Sequence, residues 1–404
     1  MNILYNLAIH TYGRLIVIAS CFSEKAKKRH QGSHNTWNII EKQIDKNLNY
    51  IWFHVSSLGE FEQGRPVIEK LKKENPETKI LLTFFSPSGY EIRKNYPNAD
   101  VICYMPTDTE KNAKRFLSAV NVEKAIFVKY EFWGNFLNEL KKRNIPTYLI
   151  SAIFRKDQTF FKIYGGFYRK MLKCFTHLFV QDNNSYELLK SIDVYKVTVA
   201  GDTRFDRVKN IAHQSKNIPL IEKFIDNKNV IVAGSTWTVD EDLLLKYFSE
   251  NQNIKLIIAP HEIHDSHITE ISNKLKYQHL RYSQLTEDNA ANIDCIIIDC
   301  FGILSSVYRY ADIAYIGGGF GAGIHNTLEA AVYGIPVVWG PNYMKFKEAR
   351  ELIVCGGGFS VSDYNSLKNV LDNLTVNSGI GKKVSEYVEK NLGATEKILK
   401  SIGY

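Results

Sequence analysis

The sequence predicts an α/β fold made of two βαβ domains, and three observations carry that prediction. Short apolar runs recur along the chain, separated by amphipathic segments of helix length. That alternation implies parallel sheets covered on both faces. The rhythm breaks once, at the mostly polar stretch Asn210 to Leu220, and then restarts. The third observation is a strand, glycine loop, helix, strand unit late in the chain, from Ala311 to Trp339.

The chain has 404 residues, enough for two domains with cores of their own. A net charge of +8 suits an anionic substrate or an anionic membrane surface and does not single out nucleic acid. Cys21, Cys103, Cys174, Cys295, Cys300 and Cys355 are scattered, with no CxxC pair. Most lie in apolar runs, so buried thiols in a reducing compartment are expected. His261 and His264 lack a strong third ligand, so no metal is expected.

The N-terminal run Ile3 to Phe22 is apolar apart from His10 and Arg14. As one helix it would be about 30 Å long, enough to span a bilayer. Arg14 near its middle makes spanning costly. Lys25, Lys27, Lys28 and Arg29 follow, a basic cluster placed for the cytoplasmic face. Ile18-Ala19-Ser20-Cys21 resembles a lipoprotein cleavage box, but no Lys or Arg precedes the apolar run. The expectation is an uncleaved apolar anchor helix within residues 1–30 that dips into or lies on the membrane. An ordinary first helix packed on the body is the other reading. Gln31 to Asn49 reads as a polar linker.

In the first domain, 45–208, strands are expected at Ile51–Val55, Ile80–Phe85, Val101–Tyr104, Ala125–Val128, Thr147–Ile150, Leu178–Val180 and Val197–Ala200. Ligands of such sheets bind beyond the carboxyl ends of the strands. Two of those ends carry an acid. Glu60 follows Gly59 at a strand-to-helix turn, where a carboxylate can take a proton or merely complement the helix's first turn. Glu131 follows the next such end, where it is a site acid or half of a partly buried ion pair. His54 reads as a satisfied strand histidine.

The second domain, 222–381, restarts with a strand at Val230–Thr236. Further strands are expected at Ile254–Ala259, Ile293–Ile298, Ala311–Ile316 and Ile335–Trp339. The glycines from Gly317 to Gly323 leave a backbone able to approach a charged ligand. Asn326 is placed as the N-cap of the following helix, whose N-terminus favours a phosphate. Glu329 then has two readings, a capping box to the Asn326 N–H or a carboxylate for two ribose hydroxyls. Residues 382–404 read as helices packing back on the first domain.

Two α/β halves with the donor unit in the second resemble the GT-B fold, two Rossmann-like βαβ domains facing a central cleft. The motifs resemble those of the 3-deoxy-D-manno-octulosonic acid (Kdo) transferases of lipopolysaccharide synthesis. His54 to Glu60 matches that family's His-x-x-Ser-x-Gly-Glu, and Glu131-Phe132-Trp133 matches its Glu-Leu-Trp with Phe for Leu. Gly201 to Asp206 matches Gly-x-x-Lys-Phe-Asp with Arg204 for Lys, and His325 to Ala331 matches His-Asn-x-Leu-Glu-Ala-Ala in full. Lys129 stands where the family often has a second acid. Pro260-His261 replaces its Pro-Arg, and Phe301-Gly302-Ile303 replaces its Met-Gly-Glu.

The resemblance implies an inverting glycosyltransferase that moves Kdo from CMP-Kdo to the glucosamine disaccharide of a lipid A precursor, lipid IVA. It implies action at the cytoplasmic face of the inner membrane of a Gram-negative bacterium, without metal, other cofactor or nucleic acid. Glu60 would be the general base, with Glu131 and Arg204 also catalytic. Ser235, Pro260, His261, Phe301, Gly302, Ile303, Gly318, Gly319, Asn326, Thr327, Leu328 and Glu329 would hold the nucleotide, Glu329 on its ribose. One base suffices, because the phosphate is already a good leaving group. The alternative is another GT-B enzyme acting on a UDP-sugar, a transferase or a 2-epimerase.

Overall fold

The computed structural model describes residues 3–226, 228–251, 253–376 and 379–404. The chain forms two compact units, one of residues 1–206 with 392–404 and one of residues 207–391. Residues 1 and 2 of the expected anchor lie outside the described residues.

The first unit is built on strands β1 (Tyr50–Val55), β2 (Lys79–Phe84), β3 (Val101–Tyr104), β4 (Val122–Val128), β5 (Thr147–Ala152), β6 (His177–Val180) and β7 (Val197–Val199). They pair in the order β3-β2-β1-β4-β5-β6-β7, all parallel. Successive residues of β1 point to opposite faces. Tyr50 and Trp52 enter one core with Leu81, Phe116 and Phe136, while Ile51, Phe53 and Val55 enter the other with Phe61, Val67 and Leu71. Both faces are covered, which is why the strand reads as an unbroken apolar run.

The second unit has β8 (Asn229–Thr236), β9 (Ile254–Pro260), β10 (His279–Arg281), β11 (Cys295–Ile297), β12 (Ile313–Ile316), β13 (Val337–Trp339) and β14 (Gly358–Ser360). Their order is β10-β11-β9-β8-β12-β13-β14, again all parallel. The sequence did not announce β10 or β14, each of three residues, because so short a run has no period to show. In each sheet the order reverses at the first strand, beside β4 in one unit and β12 in the other. Doubly wound sheets hold their ligands outside the strand ends at such a reversal.

The N-terminal segment differs from expectation. Helix α1 spans Ile3–Ala19, and the chain turns before α2, Glu24–Gln43. Among the described residues no helix is long and apolar enough to cross a membrane. Instead α1 docks on its own unit. The Tyr5 hydroxyl donates to Asp108 at 2.5 Å, and Asn135 Nδ2 donates to Asn6 Oδ1 at 2.9 Å.

The expected linker from Gln31 is mostly helix. In α2, Arg29, Thr36 and Ile40 are buried, with Thr36 Oγ1 donating to the Tyr104 carbonyl at 2.8 Å. A buried face made of Arg and Thr does not register as an apolar stripe. The polar stretch Asn210 to Leu220 is also largely helical, within Thr203–Gln214 and Pro219–Ile225.

Candidate active site

In the first unit the reversal lies between β1 and β4, and both strand ends carry chemistry. Beyond β1, the Ser56 N–H donates to Glu60 Oε2 at 2.6 Å. Burial and then the negative charge of Glu131 push the Glu60 carboxyl up to about 8, against the smaller pull of the Ser56 N–H and of Lys129. Beyond β4, Lys129 has φ of 67°, a left-handed conformation that is strained for a residue with a side chain.

Glu131 is buried, and its Oε2 takes two bonds, from Trp133 Nε1 at 2.6 Å and from His54 Nε2 at 2.9 Å. The His54 ring also meets Thr83 Oγ1 at 2.8 Å through Nδ1. Register explains the neighbourhood, since His54 sits directly between Thr83 of β2 and Phe127 of β4. Thr83 Oγ1 also accepts from Trp52 Nε1 at 2.8 Å and lies 3.4 Å from the Phe53 carbonyl, to which it donates. His54 is thus held between Thr83 and Glu131. The histidine is a satisfied strand residue, as its sequence suggests, and it fixes the acid that raises Glu60.

Arg204 is held by Asp202. Its Nε lies 3.0 Å from Oδ2, and its Nη2 lies 2.7 Å from the same oxygen. Burial works to raise the Asp202 carboxyl, but the charge and hydrogen bonds of Arg204, with the charge of Lys129, hold it below the usual range. Asp206 lies away from this cluster. It accepts from the Gly393 and Thr395 N–H groups, each at 2.7 Å, and so caps the helix Ala394–Ser401.

In the second unit the ends of β8 and β12 flank the reversal. Three rings gather there. Trp237 stacks on His261 at 4.7 Å, and His261 stacks on His325 at 4.5 Å. Trp237 Nε1 points at His325 Nε2 at 3.4 Å. Burial, then the charge of His261, pushes His325 down, so its ring is neutral at physiological pH. Trp237 is large and exposed, and no feature of the sequence alone singled it out.

The glycine loop is organised differently from expectation. Gly318 and Gly319 are buried. Gly318 N–H is taken by Asp240 Oδ2 at 2.9 Å, and the same buried carboxylate accepts from Trp237 N–H at 3.0 Å and the Tyr315 hydroxyl at 2.8 Å. The Gly318 N–H is thus spent within the protein. A Cβ on Gly319 would come within 2.6 Å of Gly340, and one on Gly317 within 2.2 Å of the Ser235 carbonyl. Those glycines let backbone approach backbone.

The helix after the loop is one turn, Leu328–Ala331, too short to build much of a dipole. Asn326 Oδ1 accepts from the Leu328 N–H at 3.2 Å, and Asn326 Nδ2 donates to Glu329 Oε1 at 2.9 Å. The N-cap is Thr327, not the expected Asn326, and it makes no side-chain cap bond; Asn326 and Glu329 meet side chain to side chain instead. Glu329 lines a narrow recess with Ser305 and Tyr333. Thr327 and Leu328 are buried, and the Thr327 hydroxyl has no hydrogen-bond partner. Ser235 has φ of 54° at the end of β8, and Pro260 closes β9. His261 is exposed, as are Phe301 and Gly302, and Ile303 precedes the helix Leu304–Val307. Among the described residues no three His, Cys, Asp or Glu side chains gather as a metal site requires.

Residues 23–207 match the family described as 3-deoxy-D-manno-octulosonic-acid transferase (kdotransferase). A 3-deoxy-D-manno-octulosonic acid transferase of Aquifex aeolicus (strain VF5) is 30% identical over 332 residues, which cover 80% of this chain and 85% of that protein. The chain belongs to the Kdo transferase family. A Kdo transferase of Rickettsia prowazekii (strain Madrid E) is 25% identical over 91% of this chain and 84% of its own length. The fold is also that of UDP-GlcNAc 2-epimerase from Neisseria meningitidis, solved bound to UDP-GlcNAc. That match has a TM-score of 0.61 and 16% identity, covering 88% of this chain and 99% of that one. The α/β architecture is GT-B-like, and the Kdo transferase family makes the protein a glycosyltransferase.

Proposed function

We propose that this chain transfers Kdo from CMP-Kdo to a glucosamine hydroxyl of a lipid A precursor such as lipid IVA, with inversion and with Glu60 as general base. The observation that carries the reading is the Glu60 carboxyl, placed beyond β1 beside the sheet reversal and raised toward the pH at which a base must work. In this mechanism Glu60 takes the proton of the acceptor hydroxyl. The freed oxygen bonds to the anomeric carbon, the bond from that carbon to the phosphate oxygen breaks, and CMP departs with the electron pair.

The second unit holds the nucleotide at the ends of β8, β9 and β12. Trp237, His261 and His325 offer ring faces for the base, and Glu329 serves the ribose. Arg204, oriented by Asp202, and Lys129 offset the charge that grows on the departing phosphate. No step calls for a metal. We place the enzyme on the cytoplasmic face of the inner membrane. Leu4, Leu7, Leu15 and Ile18 are exposed on α1, and the basic cluster of α2 follows.

The test is product mass from purified protein given CMP-Kdo and lipid IVA, with UDP-sugars run in parallel. Addition of Kdo with release of CMP is the expected result. Turnover of a UDP-sugar with none of CMP-Kdo would sink the proposal.

A further inference from the structure

A cavity of about 280 Å3 lies among α1, α2 and the segment at Thr107 and Thr109, and the chemistry above makes no use of it. His10 and Arg14 of α1 and Arg29, His30, Ser33 and His34 of α2 line it, and no carboxylate does so among the described residues. Arg29 is the unusual member. It is only 5% exposed, and its Nη2 donates to the Met105 carbonyl at 2.7 Å. Its Nε and Nη1 are buried without a hydrogen-bond partner. The guanidinium lies over the rings of Phe85 and Tyr104, at 4.5 Å and 5.6 Å from their centroids.

Ring faces and one carbonyl do not balance a buried cation. Burying charge is costly unless it is paired and hydrogen-bonded. The ionisable groups whose charge reaches Arg29 are the phenols Tyr12 and Tyr104, not an acid. Burial lowers the guanidinium to about 10, so it stays charged at neutral pH. An anion in the adjoining cavity would offset that charge. The lining supplies what an oxyanion would use besides Arg29: the Arg14 guanidinium, imidazoles from two helices and the Ser33 hydroxyl.

We propose that this cavity binds a phosphate monoester or inorganic phosphate between α1 and α2. The proposal stands apart from the donor and acceptor reading above. The same chemistry has two sources, a lipid headgroup beside the exposed apolar face of α1 and free phosphate.

The test follows the ring proton signals of His30 and His34 in the full chain by NMR, which reads this cavity and not the nucleotide end of the second unit. Inorganic phosphate should move both signals along one saturating curve, and Arg29→Met should abolish the shift. If Arg29→Met does not fold, the rim substitution Arg14→Ala carries the test and should weaken binding about tenfold. Vesicles of phosphatidylcholine with and without phosphatidic acid identify the source. A response to phosphatidic acid vesicles assigns a lipid headgroup, and a response to inorganic phosphate alone assigns the free ion. Signals that move for neither, or equally in wild type and the folded variant, overturn the site.

Discussion

Glu60 accepts backbone hydrogen bonds from Ser56 and, more weakly, Ser57, and feels two opposed charges, Glu131 raising it and Lys129 lowering it. A base must be ionised to act, so kcat/KM should climb with pH and level off above an inflection near 8. Glu131→Gln removes the raising charge and should move that inflection to lower pH. An unmoved inflection would show that the two acids do not sense each other. Glu60→Gln should cut turnover about 100-fold or more while CMP binding persists. The same shift has a stability sign. Folding favours the protonated carboxyl, so wild type and Glu60→Gln should be equally stable below pH 4.5, where the group is neutral folded or unfolded. Between pH 4.5 and about 8 the wild type should lose ground to the variant, and above that the gap should stay constant. Chemical denaturation across that range reads the gap.

The glycine loop after β12 shows what a single element requires. Gly319 packs its backbone on Gly340, and a methyl there would meet main chain that cannot swing aside. Gly319→Ala should therefore cost about 2 kcal/mol or more in the second unit, read as a lower unfolding midpoint. The sequence marks this loop but not its job, because the partners that demand glycine, Ser235 and Gly340, come from the ends of other strands. The longer strands are legible because burial on both faces writes them as apolar runs, whereas β10 and β14 are too short to do so. The buried face of α2 is hidden because it contains Arg29 and Thr36. At the candidate site, the strand-end positions of Glu60 and Glu131 can be read from local pattern. The chain from Trp52 through Thr83 and His54 to Glu131 cannot, since it exists only once the register of β1 on β2 is set. Asp240, which ties the loop to Trp237, escapes for the same reason: its bond to the Trp237 N–H is a local helix start, but Tyr315 and Gly318 reach it only through tertiary structure.

The whole chain leaves the first unit, builds the second from residues 207–391 and returns at residue 392. Asp206 stands at the exit, and it caps the helix Ala394–Ser401 that re-enters. That helix is core, not trim. Ile398, Leu399 and Ile402 are buried with Ile51, Phe53, Val67 and Leu71. Each such side chain contributes about 1.5–3 kcal/mol on burial, so the three together contribute about 5–9 kcal/mol, the size of a whole domain's stability. Removing residues 392–404 should thus unfold the first unit. The second should survive, because its core of Leu244, Phe248, Ile258, Tyr315 and Leu371 includes none of them. Hydrogen exchange would show protection lost across β1 to β7 and kept across β8 to β14. Asp206→Ala is the graded version. Losing a cap that serves two N–H groups should cost about 1–2 kcal/mol and loosen the helix Ala394–Ser401 without unfolding the sheet beneath it. If the truncated chain keeps full protection in β1 to β7, the first core closes without the returning helix, and the energetic role assigned here to Ile398, Leu399 and Ile402 is wrong.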